Sequence, residues 1–108
     1  MTLSELNTLL QSIEAFTGKV AYRAFPYLEA PALPYICYYA TGSDNFAADN
    51  TVYHSETPVR IELYEKEKDL TTESSVEELL TSHDIFWERE ETYVDDQNCY
   101  LIIYEVTI

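Results

Sequence analysis

Residues 58–80 read PVRIELYEKEKDLTTESSVEELL, and the fold turns on a change of rhythm inside them. Val59, Ile61 and Leu63 alternate with Arg60, Glu62 and Tyr64. That is the two-residue period of a strand with one face on a core and one in water. EKEKD follows as a charged turn. Beyond it Val76, Leu79 and Leu80 fall at three- and four-residue steps, the period of one helix face. Thr71 or Thr72 can cap this second helix, and Glu73 suits the positive end of its dipole.

Upstream, Leu3, Leu6, Leu9, Leu10, Ile13 and Phe16 form one apolar stripe of a first helix. Thr2 and Glu5 fit a capping box, and Gly18 stands where a left-handed residue would stop the helix, with Lys19 beside it. Residues 20–25 read as a short strand. PYLEAPALP then carries three prolines, which interrupt any ladder or helix and leave an extended loop. YICYY, residues 35–39, is a second strand, β-branched and aromatic. Residues 51–55 and 59–65 read as one long strand bent near Pro58 or as two separate strands.

Downstream, residues 86–94 and 100–108 are the last strands, joined by the turn-type cluster DDQN. The expected order is α-β-β-β-α-β-β, within a single domain spanning residues 1–108. Helices separated by runs of strands predict an α+β fold: a mostly antiparallel four- to five-stranded sheet with both helices on one face. In the last strand Tyr100, Ile102, Tyr104 and Val106 share one face, yet Leu101 and Ile103 occupy the other. A neighbouring subunit or the chain's own loops could cover that second face.

Composition narrows the function classes. Six Lys+Arg against 20 Asp+Glu give a net charge of −14, while 46% of residues are hydrophobic. The hydrophobic share is that of a folded protein. The charge repels nucleic acid and anionic lipid, whose protein partners neutralise phosphate with Lys and Arg. Direct nucleic-acid binding is therefore not expected, and neither is a membrane role, since no apolar run approaches the length of a span. Cys37 and Cys99 lie in strand-like runs and are expected to be reduced, core or near-core residues of a chain that stays in the cytoplasm until it is assembled. No basic, apolar signal pattern opens the sequence.

Reaction signatures do not emerge. His54 and His83 belong to no metal spacing, and His83 is placed to meet free carbonyls at the end of the second helix. No serine lies in a GxSxG elbow, and two glycines cannot build a phosphate cradle. No enzyme activity, cofactor or metal is expected. TGSDNFAADNTVY, residues 41–53, supplies oxygens from Asp44, Asn45 and Asp49 but lacks the spacing, glycine and terminal Glu of a calcium loop. Phe46 amid small polar residues suits either a contact loop, with Asp44, Asn45 and Phe46 toward a partner, or a ring folded back onto the chain's own core. Asp49 and Asn50 are expected to hold the turn, since short Asx side chains bond nearby backbone.

Residues 33–80, LPYICYYATGSDNFAADNTVYHSETPVRIELYEKEKDLTTESSVEELL, carry a recognisable series. A P-Y-I strand is followed by A-D-N with a Tyr after it, then R-I-E-L-Y, K-D and an E-rich short helix. IFWEREETYVDDQNCYLIIYEVTI continues it with a strand, an acidic turn and a closing Y-x-V strand. With the first helix, the chain resembles the small tail-completion proteins of long-tailed bacteriophages and prophages, also called minor tail or tail terminator proteins.

The resemblance implies an α+β subunit of a virion assembly. Such subunits form a ring, usually a hexamer, that caps the finished tail tube. Their partners are further copies of the chain, the major tail tube protein and the head–tail connector proteins. The expected location is the virion, at the head–tail junction, after the host cytoplasm. DNA would pass through the ring without being gripped, and Glu62, Glu65, Glu67 and Asp69 are candidates for lumen-facing acids. The alternative from charge alone is a small acidic DNA-mimic inhibitor of the anti-defence type, binding a basic protein groove.

Overall fold

The structure, a computed structural model, describes residues 1–48 and 51–108. Helix α1, Leu3–Gln11, starts in a complete capping box: Thr2 Oγ1 accepts from the Glu5 amide, and Glu5 Oε1 accepts from the Thr2 amide. Its apolar stripe is split in two. The helix ends at Ser12, Ile13 is extended, and a single 3₁₀ turn over Glu14–Phe16 carries Phe16 back into the core. The sequence stripe therefore marks burial correctly but overstates the helix, because a helix and a 3₁₀ turn can present one continuous face. Gly18, at φ 74°, takes the left-handed turn into the sheet.

Seven strands follow: β1 Val20–Tyr22, β2 Tyr35–Ala40, β3 Asp44–Ala48, β4 Thr51–Glu56, β5 Pro58–Glu65, β6 Trp87–Val94 and β7 Cys99–Thr107. Helix α2, Leu70–Ser82, joins β5 to β6. Five strands form the main sheet in the order β1-β2-β5-β7-β6, and β3 with β4 makes a separate two-stranded sheet. Counting the main sheet alone, the chain order is the expected α-β-β-β-α-β-β.

Three features depart from expectation. The sheet is mixed, because β1 pairs with β2 in parallel while the other pairs are antiparallel. The proline-rich connection over residues 23–34 makes this possible, since parallel neighbours need a long crossover. Residues 44–48, expected as loop, are a strand. β3 pairs with β4, with a bulge between Phe46 and Ala47, so the backbone ladder to β4 overrides the weak strand propensity of Asp and Asn. Finally, α2 is capped by Asp69, whose side chain accepts from the Thr72 amide and hydroxyl, rather than by a threonine.

Both helices cover one face of the main sheet. Ile36, Val59, Ile61, Leu63, Ile102 and Tyr104 rise from the sheet to meet Leu6, Leu10 and Phe16 from the first segment and Val76 and Leu80 from α2. Each such side chain contributes about 1.5–3 kcal/mol by leaving water. On the opposite face the β1–β2 connection folds back over β2. Phe25 meets Tyr35 edge-on at 5.1 Å, Tyr35 meets Tyr64 at 5.1 Å, and the Arg23 guanidinium lies 4.8 Å from the centre of the Tyr39 ring. The chain's own loop thus covers part of the second face, while Leu101 and Ile103 stay half-buried.

Candidate functional site

The antiparallel β2–β5 ladder continues past the main sheet as the β3–β4 arm. The Thr41 amide donates to the Pro58 carbonyl at 2.9 Å, and the pairing then runs from Asp44 opposite Glu56 to Ala48 opposite Thr51. Thr57 and Ile108 exchange both backbone hydrogen bonds at 2.9 Å, fixing the base of the arm to the end of β7. Among the described residues the two arm strands belong to no other sheet. Asp44, Asn45 and Phe46 thus lie on the first arm strand rather than in a loop. Asp49 and Asn50, expected to hold the turn, lie outside the described residues.

A second construction lies between α2 and the sheet. The register puts Arg89 beside Tyr104 and Glu91 beside Ile102, on the helix-facing side. Glu73, in the first turn of α2, is only 1% exposed and receives two cations. Lys68 Nζ lies 2.7 Å from both its oxygens, and Arg89 Nη2 lies 2.5 Å from Oε1. Arg89 also reaches Glu77 at 2.9 Å, Tyr104 donates to Glu77 Oε2 at 2.8 Å, and Lys68 bridges onward to Glu91. Burial pushes Glu73 up, but the adjoining Glu65 carboxyl and the two cations outweigh it and hold it below the ordinary carboxylate range. Tyr104 is pushed up by burial and by the Glu77 carboxylate that accepts from it.

Glu65 is the odd member. It is 1% exposed, and among the described residues no N–H or O–H donor meets either carboxylate oxygen. Burial first and Glu73 second push it up to about 8. The four acids expected around one strand end therefore do not share a surface. Glu65 points into the interior. Glu62 sits half-buried on the opposite sheet face beside the Tyr64 hydroxyl. Glu67 is exposed in the turn, and Asp69 caps α2. Alternation along β5 explains the split, because residues 62 and 65 differ by an odd number and face opposite ways.

Cys37 and Cys99 are both buried and free, on the sheet face away from the helices. Burial, with Glu62 adding to it, pushes the Cys37 thiol up to about 11, which disfavours the reactive thiolate. His83 caps the C-terminus of α2, with Nδ1 3.0 Å from the Leu79 carbonyl. Among the described residues no helix is long and apolar enough to cross a membrane. The fold and its surfaces define an α+β domain with a projecting two-stranded arm. No protein-family model matches the sequence, and no curated protein sequence matches it.

Sequence reasoning missed two exposed apolar groups. Tyr27 and Leu28 crown the turn of the β1–β2 connection, and Phe86 precedes β6. The first had a signal in PYLE, a proline-led turn carrying two large apolar residues. Phe86 had none, because an apolar residue next to a strand start reads as part of that strand.

Proposed function

We propose that this chain is a structural subunit of a phage tail. It caps the tail tube as a ring of identical copies and presents a surface to the head connector. The observation that carries this reading is the β3–β4 arm, which leaves the β2–β5 ladder and, among the described residues, pairs only with itself. A projecting ribbon suits a subunit that must reach its neighbours, since a closed ring needs two different complementary surfaces on every copy. Asp44, Asn45 and Phe46 on the first arm strand are the proposed partner contacts. The net charge of −14 supports the same reading, because a like-charged ring lets DNA pass without holding it. Assembly would take place in the host cytoplasm and end in the virion, and the chemistry required is complementarity of surfaces rather than catalysis.

The test is deletion of the coding sequence from the phage or prophage genome that carries it, scored by electron microscopy. Overlong tails or tails without heads are expected. Normal, joined particles would overturn the reading and turn attention to the DNA-mimic alternative, for which the same charge would engage a basic protein groove.

A further inference from the structure

The two edges of the main sheet differ in charge. Of the six Lys and Arg residues, Arg60, Lys68 and Arg89 are taken up by salt bridges, and Lys66 is exposed in the turn after β5. Lys19 and Arg23, in no salt bridge among the described residues, flank β1 at one edge. The opposite edge is β6, where Glu88 and Glu90 are exposed, with exposed Asp84 just ahead of it. The β1 edge thus carries two cations outside any described salt bridge, with the Arg23 guanidinium resting on the Tyr39 ring and exposed Glu29 nearby, whereas the β6 edge presents exposed acids.

The edges also differ in shape. After β1, the Glu29 amide donates to the Pro26 carbonyl at 2.9 Å, closing a turn with Tyr27 and Leu28 at its tip. Leu28 has φ 65°, in a turn position that favours Gly or Asn. Tyr27 is 90% and Leu28 87% exposed, so burial within the chain does not offset that strain. The base of the connection is held by the Phe25–Tyr35 and Arg23–Tyr39 contacts. A strained, anchored turn offering two large apolar side chains to water is a configuration that function accounts for better than folding does. Near the β6 edge lies a groove of about 370 Å³ lined by Thr81, Asp84, Ile85, Phe86 and Trp87. Ile85 is buried in it, and Phe86 stands 78% exposed.

We infer that the Tyr27–Leu28 turn of one copy seats in the Ile85, Phe86 and Trp87 groove of a second copy, with Lys19 and Arg23 against Asp84, Glu88 and Glu90. The ring-forming reading above is the setting of this contact. Knob and groove are different surfaces at opposite sheet edges, so the contact is heterologous and can be repeated around a closed ring. Two side chains in a groove cover less than the ~800 Å² per partner of a standard interface. One contact alone is therefore weak, and closure of the ring supplies the avidity.

The test uses two half-blocked full-length chains. Tyr27→Ser with Leu28→Asn removes the knob and places Asn, which accepts the left-handed region, at the strained position. Phe86→Glu blocks the groove. All three positions are exposed, so both variants should keep the wild-type melting temperature. In sedimentation equilibrium at up to about 1 mM, a range that reveals weak contacts, the wild type should associate and each variant alone should be monomeric. An equimolar mixture should form a dimer and nothing larger, because one intact knob meets one intact groove. Lys19→Glu should weaken association roughly tenfold, the effect of a hot-spot loss, and Glu88→Arg on the same chain should restore it. A wild type that stays monomeric, variants that associate as it does, or a mixture that gives no dimer would overturn the contact. A ring that survives both substitutions would remove this interface and leave the tail-completion reading standing. Dimers in the mixture, with normal tails after gene deletion, would do the reverse.

Discussion

Glu65 and Glu73 are each 1% exposed and lie side by side, yet only Glu73 is met by cations. The pair is stable as one carboxylate and one carboxylic acid: Glu73 keeps its charge between Lys68 and Arg89, and Glu65 keeps its proton. The consequence is that the two carboxyls give stability opposite dependences on pH. Glu73, held low, contributes stability present above its unfolded pKa and lost as pH falls. Glu65 is raised from 4.5 to about 8, so its contribution is full below the lower value and is lost as pH rises through the upper one. Wild-type melting temperature should therefore decline from about pH 5 to about pH 8. Glu65→Gln should remove most of that decline and raise the melting temperature at the alkaline end by several degrees. An unchanged alkaline decline in the variant would show that Glu65 is not its source.

Arg89 offers a second measurement on the same cluster. Replacing one partner of a buried ion pair costs about 3–5 kcal/mol when the other charge is left bare. Arg89→Met should fall at or below the low end of that range, because Lys68 remains and the Arg89 side chain is 29% exposed. In a Glu73→Gln background the same substitution should cost clearly less in urea denaturation. Equal costs in the two backgrounds would mean that Arg89 acts through Glu77 alone.

The phase of α1 can be read by a pair of truncations. Leu10 is fully buried and Leu9 only half-buried. Leu10→Ala should destabilise by roughly 2–5 kcal/mol, and Leu9→Ala by distinctly less. Similar losses at the two positions would contradict the way α1 lies on the sheet.

The arm should be thermodynamically separable. Replacing residues 43–55 with a short turn leaves the Thr41–Pro58 and Thr57–Ile108 backbone bonds in place, and the described strand pairing of β3 and β4 is with each other rather than with the main sheet. Thermal melting should shift by only a few degrees, whereas particle assembly should fail. Phe46→Ala, a smaller change on the same strand, should likewise spare the fold and impair assembly. Collapse of the main sheet on removing the arm would place the arm in the folding unit rather than in the interface.

How much of this was legible follows the range of the forces involved. The β5 alternation and the Val76–Leu80 stripe are local, and both elements formed as their periods required. The pair Thr2 and Glu5 marked the start of α1 because a capping box closes within three residues. Asp44 and Asn45 concealed a strand, since their own preference is for turns and only the pairing with Ser55 and Glu56 makes them extended. Glu73 read only as an acid suited to the positive end of the α2 dipole. Its burial depends on Arg89 arriving from β6, a contact that no local pattern announces. The projected acidic rim failed for a related reason: Glu62 and Glu65 are near in sequence but separated by the sheet itself.

Trp87 is the one tryptophan in the chain. Its indole N–H donates to Thr81 Oγ1 at 3.0 Å, its ring meets Tyr104 edge-on at 5.8 Å, and its outer side lines the groove beside Phe86. The molecule therefore carries its own fluorophore at the boundary between core and surface. Its emission should shift to the red when α2 parts from the sheet and to the blue when the groove is occupied. A single intrinsic signal would then separate unfolding from docking without any attached dye.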